Sequence, residues 1–250
     1  MLKTRIIPIL LIKGSSVVKT VKFKDPRVVG DAIATVKVFA TRKADEMLIV
    51  DIDATSRGNI NIDLIKRISK SCNMPLSIGG GIKSLEDADS LFRAGADKVV
   101  INSAFYSSKN IIKKIAQKYG EQAIVFSLDT KEVNGEMQAV TSSPNLETKM
   151  SAVDAAISAV DCGAGEIYLN SVDRDGCMNG YDLNLVKEIS KAATVPVIAA
   201  GGCGSKEHCV DVIKSGADAV AAASVFFWAG ESIITIKSHL FKNGIEVRLK

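Results

Sequence analysis

The chain says one thing twice. Residues 76–105 read LSIGGGIKSLEDADSLFRAGADKVVINSAF, and residues 197–227 read VIAAGGCGSKEHCVDVIKSGADAVAAASVFF. Each copy is an apolar run, a glycine turn, a helical pattern, Gly-Ala-Asp, a second apolar run and a small-residue ending. Gly95-Ala96-Asp97 answers to Gly216-Ala217-Asp218, Ser103 to Ser224, and Gly80 to Gly202. The likeness extends outward: Lys13 answers to Lys131, Glu46 to Glu166, Leu64-Ile65-Lys66 to Leu185-Val186-Lys187, and Pro75 to Pro196. A repeat of this length marks a duplicated half-domain and restricts the chain to folds built from two like halves.

Between these landmarks the chain alternates short apolar runs with amphipathic segments. Arg5–Ile12, Met47–Asp51, Ala123–Asp129 and Ile167–Asn170 read as strands. Asp31–Thr41, Asp63–Cys72, Asn110–Tyr119, Ala152–Asp161, Leu183–Ala192 and Ser232–Asn243 read as helices. Lys13–Pro26 is expected as a long loop or small hairpin, and Lys131–Val140 as a hairpin turning at Asn134-Gly135. Eight strands that are apolar throughout, each followed by a helix, call for a parallel sheet covered on its outer face. In a chain of 250 residues with two like halves this predicts one closed (β/α)8 TIM barrel spanning 1–250, with half-barrels of about 1–121 and 122–250. A doubly wound open sheet is the alternative, and nothing in the sequence marks a strand-order switch.

The paired glycines and small residues suggest two anion sites facing each other across the barrel mouth. Gly80, Gly81, Gly201 and Gly202 would bring bare backbone amides close to a ligand. Asn102, Ser103, Ala223 and Ser224 end the following strands, where helix N-termini favour phosphate. In such barrels the site lies at the carboxyl ends of the strands. The polar residues expected there also include Asp51, Asp53, Asp129, Asn170, Asp173 and Asp175, with Lys19 reaching in from the first loop. Asp129 ends an otherwise apolar strand, where a carboxylate is open to pKa tuning for acid–base work; capping a turn is the simpler role. The repeat exposes one asymmetry: the counterpart of Asp129 is Leu11. At the other end of the strands stand Arg5, Glu46, Lys98 and Glu166, two charges of each sign. They would pair around the axis, either as a structural plug or as a gate over a passage.

Composition excludes several classes. The apolar fraction is 47%, the charged fraction 24% and the net charge +4. Basic residues are scattered among acids, so no nucleic-acid stripe is present, and no apolar run nears the ~20 residues of a membrane span. The start MLKTRIIPIL lacks the pattern of a secretion signal, so a cytosolic protein is expected. Five cysteines without a C-x-x-C pair read as free thiols, with neither zinc site nor disulfide framework, and both histidines fall in helical patterns. No metal or cofactor is expected.

GGGI at Gly79–Ile82, GADKV and INS between Gly95 and Ser103, DRDG and GYD between Asp173 and Asp182, and AGG at Ala200–Gly202 together resemble the cyclase subunit of imidazole glycerol phosphate synthase. The resemblance runs from Arg5 to beyond Val247. It implies a (β/α)8 barrel with two phosphate sites at the mouth. A glutaminase partner would dock at the floor, and its ammonia would cross the barrel to the substrate. Arg5, Glu46, Lys98 and Glu166 match the family's gate residues, and Asp97 a floor residue facing the glutaminase. Of the two carboxylates the family uses as general acid and base, one matches Asp129 and the other falls on Leu11. Asn170 and Asp53 stand where threonine is usual, and the segment from Thr141 to Pro144 lacks the usual glycines. These departures point to a branch similar to cyclase-like proteins of bacterial surface-polysaccharide pathways. Those supply ammonia for converting an N-acetyl sugar into an acetamidino sugar. The histidine-pathway cyclase itself and a non-catalytic scaffold that activates a glutaminase are the alternatives.

Overall fold

A computed structural model describes residues 3–141 and 148–249. It contains β1 (Arg5–Lys13), β2 (Ser16–Val21), β3 (Lys24–Asp31), β4 (Met47–Asp51), β5 (Leu76–Gly79), β6 (Lys98–Ile101), β7 (Ile124–Val133), β8 (Glu136–Val140), β9 (Glu166–Ser171), β10 (Val197–Ala200) and β11 (Ala219–Ala222). Eight of these run parallel in the order β1, β4, β5, β6, β7, β9, β10, β11, and β11 pairs back onto β1 to close the barrel. Period-two alternation divides β1 between two cores. Ile6, Leu10 and Ile12 face the surrounding helices. Ile7, Ile9 and Leu11 face the lumen, with Leu48, Val100, Val125, Tyr168 and Ile198.

The remaining strands extend the mouth. β2 and β3 form the hairpin after β1, and β8 folds back on β7 with Val133 opposite Glu136. Asn134 and Gly135 both take positive φ, as a two-residue turn of this kind requires. The six long helices read from the sequence are present within a few residues. The short helices Ser103–Ser107 and Val225–Trp228 begin where helix N-termini were expected after β6 and β11, whereas the one at Ala54–Arg57 was not foreseen. Of the glycine-poor segment from Thr141 to Pro144, residues 142–144 lie outside the described residues.

The two halves repeat their contacts as well as their letters. The Asp97 N–H donates to the Leu76 carbonyl and its carboxylate accepts from the Leu76 N–H, both at 2.8 Å. Asp218 does the same with Val197 at 2.9 and 2.8 Å. Ser84 caps the helix Leu85–Arg93 and Ser205 caps Lys206–Lys214. One sequence pairing is corrected. The counterpart of Gly80 is Gly201, not Gly202. Gly80 follows β5 at φ +103° and lies against the Asp51 carbonyl at the end of β4. Gly201 follows β10 at φ +83° and lies against the Ser171 carbonyl at the end of β9. A side chain at either would collide with that carbonyl, and the backbone conformation is one that L-residues disfavour.

Candidate functional site

The carboxyl ends of the eight strands open into a cavity of about 320 Å³. Its wall brings together Leu11, Lys19, Asp51, Gly80, Gly81, Asn102, Ser103, Asp129, Asn170, Asp175, Gly201, Gly202, Ala223 and Ser224. Asp53 and Asp173 do not line it. Asp53 lies 3.9 Å from Lys13, and Asp173 accepts from the Glu132 N–H at 3.1 Å. Arg174 does not pair within its own turn; it approaches Asp182 at 3.8 Å and donates to the Gly180 carbonyl at 3.2 Å.

Asp129 is the centre of the polar side. It is buried, and the side-chain amides of Asn102 and Asn170 donate to its two oxygens at 3.1 and 3.3 Å. Burial pushes its pKa up to about 7, against the hydrogen bond from Asn170 and aided by the charge on Asp175. The Asn102 amide also donates to the Ser127 carbonyl, and its oxygen accepts from Ser103, so that group is held rigidly. The Asn170 oxygen is buried without a partner among the described residues, leaving one acceptor in the wall.

Lys19 comes from β2 and is almost fully buried. Its ammonium donates to the Ile9 carbonyl at 3.0 Å and lies 4.8 Å from the Phe227 ring centre. Burial lowers its pKa to about 7 although Asp175 opposes the shift. Asp175 ties the first hairpin to the opposite half: it accepts from the Thr20 hydroxyl at 3.0 Å, and its own carbonyl accepts from the Lys22 N–H at 2.9 Å. Burial raises the Asp175 pKa.

Leu11 occupies the place that Asp129 holds in the other half. In the ladders Leu11 stands opposite Val50, and Asp129 opposite Asn170. One half of the mouth is therefore aliphatic where the other carries a carboxylate clamped by amides. Sequence reasoning missed Arg57, whose guanidinium donates to Asp51 at 2.6 Å, and Thr20 and Tyr168, which line the cavity. Tyr168 was within reach, since it lies two residues before Asn170 on one strand and so shares its face.

At the amino end the four charges form a closed ring. Arg5 meets Glu46 at 2.7 Å and Glu166 at 2.8 Å; Lys98 meets Glu46 at 3.0 Å and Glu166 at 2.7 Å. Ser77 donates to Glu46 at 2.7 Å. Burial opposes the charge on Arg5, but Glu166 and Glu46 outweigh it and hold its pKa above the usual value. Asp97 is exposed at this end, one of its oxygens engaged by the Leu76 N–H.

A closed parallel barrel with a polar mouth, an apolar lumen and a ring of paired charges at its floor places the chain among barrel enzymes that work at the carboxyl ends of their strands. Residues 5–231 match the family described as "Histidine biosynthesis protein", and the chain belongs to that family. It is 42% identical over 250 residues to "Imidazole glycerol phosphate synthase subunit HisF" of Hyphomonas neptunium, covering 99% of each chain. It is 39% identical to the proteins of that name from Flavobacterium johnsoniae (100% of each chain) and Exiguobacterium sibiricum (99% of this chain, 100% of the other). These relatives are named as enzyme subunits of the family that the sequence motifs resemble.

Proposed function

We propose that the chain is the ammonia-receiving subunit of a glutamine-dependent synthase. A glutaminase docks at the floor near Asp97, and its ammonia passes the ring and the lumen to reach an anionic substrate in the mouth. The observation that carries this reading is the ring of Arg5, Glu46, Lys98 and Glu166 on the barrel axis, with an apolar lumen above it. Neutral ammonia crosses an apolar passage at little cost, whereas ammonium would have to shed its hydration. Gly80, Gly81 and Ser103 on one side, and Gly201, Gly202 and Ser224 on the other, would cradle two phosphate groups. Asp129, near pKa 7, can take or give a proton at neutral pH. The buried Asn170 oxygen is placed to accept an N–H from the substrate or the incoming nitrogen.

The names of the relatives favour the imidazole glycerol phosphate synthase reaction as the chemistry at the mouth, with the histidine-pathway ribonucleotide as acceptor. One feature favours a second acceptor, a nucleotide-linked or phosphorylated amino sugar converted to its acetamidino form: Leu11 stands where the resemblance expects the second acid–base carboxylate. Loss of a positioned acid or base typically costs ~10²- to 10⁴-fold in rate.

Ammonia-dependent turnover of the histidine-pathway ribonucleotide decides between the acceptors. A rate within about tenfold of an authentic cyclase supports the histidine reaction, and a loss in the range set by a missing acid or base supports the amino sugar. If neither phosphosugars nor nucleotide sugars bind the mouth, the subunit serves only to activate its glutaminase.

A further inference from the structure

The turn that forms the second glycine pair runs straight into an unused pair of thiols. Cys203 follows Gly202 and lines the mouth cavity; Cys209 is fully buried in the helix Lys206–Lys214. Their sulfurs lie 3.6 Å apart, and both reach the Ser205 carbonyl at 3.7 Å. Both cysteines are free. One is reachable from the cavity, and the other stands behind it.

We propose that Cys203 and Cys209 form a peroxide-oxidisable dithiol whose closure to a disulfide displaces the Gly201–Ser205 turn and so ties the mouth to oxidant. The Cys203 thiolate attacks the O–O bond of hydrogen peroxide, giving a sulfenic acid and releasing hydroxide. The Cys209 thiol then attacks that sulfur; the S–S bond forms, the sulfenic oxygen leaves as water, and the proton first held by Cys203 neutralises the hydroxide. One peroxide is reduced to two waters and two thiols are oxidised to one disulfide. The order of events follows from the pair itself: the hydrogen bond from Cys209 lowers the Cys203 pKa against the opposing effect of burial, while Cys209 is raised. Closing the bond to about 2 Å draws the sulfurs together by more than an ångström. The helix is fixed by its Ser205 cap and by buried Val210 and Val212. The turn is packed against its neighbour, with the Gly180 N–H donating to the Gly202 carbonyl at 2.8 Å, so movement passes into the 176–180 segment of the mouth.

The full chain is treated with hydrogen peroxide, alkylated with N-ethylmaleimide and mapped by mass spectrometry. Three of the five thiols should remain alkylatable, one crosslink should join Cys203 to Cys209, and dithiothreitol should reverse it. Hydrogen exchange should change over residues 176–180 and 201–205. Calorimetric titration with inorganic phosphate rests on the anion reading above; there the oxidised chain should bind about fivefold or more weakly. The Cys209→Ala chain should keep the affinity of the reduced protein and lose the response to peroxide. If no such crosslink forms, or if it forms with hydrogen exchange over the turn unchanged, the proposal is overturned. A reduced chain that ignores phosphate would instead defeat the anion reading, with the dithiol still judged by the crosslink and the exchange.

Discussion

Asn170 stands directly opposite Asp129 in the β7–β9 ladder and donates its amide to that carboxylate at 3.3 Å. Replacing Asn170 by alanine removes a donor that favours the charged form. The Asp129 pKa should therefore rise further above 7. A hydrogen bond to a charged group is worth about 1.5–3 kcal/mol, so the rise should be about one to two pH units. Carbon NMR of the Asp129 carboxyl reads it directly, and the pH optimum of turnover should move upward with it.

Leu11→Asp would place a second carboxylate at the register position that Asp129 holds in the other half. If the acceptor is the histidine-pathway ribonucleotide, ammonia-dependent turnover should increase by roughly 10²-fold or more. An unchanged rate would argue that the mouth is built for another substrate.

The two groups whose pKa values are brought to about 7, Asp129 and Lys19, pull stability in opposite directions. Asp129 titrates near 7 in the native state and near ~4 when unfolded, so the native chain holds the extra proton between those values. Stability from this group falls as pH rises through that window. Lys19 titrates near 7 when folded and near ~10.4 when unfolded, so the unfolded chain holds the extra proton and stability rises from pH 7 toward 10. Urea unfolding of Asp129→Asn should show a gain on the order of 2 kcal/mol at pH 8 and little at pH 4. Lys19→Met should flatten the rise on the alkaline side.

Glu46 accepts from Arg5, Lys98 and Ser77 while almost wholly buried. Glu46→Ala leaves two cations sharing Glu166 alone. It should cost about 3 kcal/mol in urea unfolding at neutral pH. If stability is unchanged while glutamine-dependent turnover falls, the ring acts on transport alone.

The barrel and its ends were legible because they rest on local signals. Apolar strands, Gly-Ala-Asp corners and the Asn134-Gly135 turn each declare themselves within a few residues. The charged residues that begin strands could be assigned to the floor because strand polarity fixes their end. The glycine pairing slipped by one because Gly79-Gly80-Gly81 faces only Gly201-Gly202, and letters cannot say which glycine is unmatched; the ladder with the preceding strand can. Arg57 on Asp51, Lys19 over Phe227 and the Cys203–Cys209 contact depend on where loops come to rest. No periodicity encodes that. Asn170 was placed at the mouth, but its grip on Asp129 follows from the β7–β9 register.

The mismatch between Leu11 and Asp129 gives an otherwise near-palindromic bowl a left and a right. If the two glycine turns hold the ends of one substrate, as proposed, a ligand bearing the same anionic group at each end would seat in either of two poses, and only one of them would bring its reacting bond to the Asp129 side.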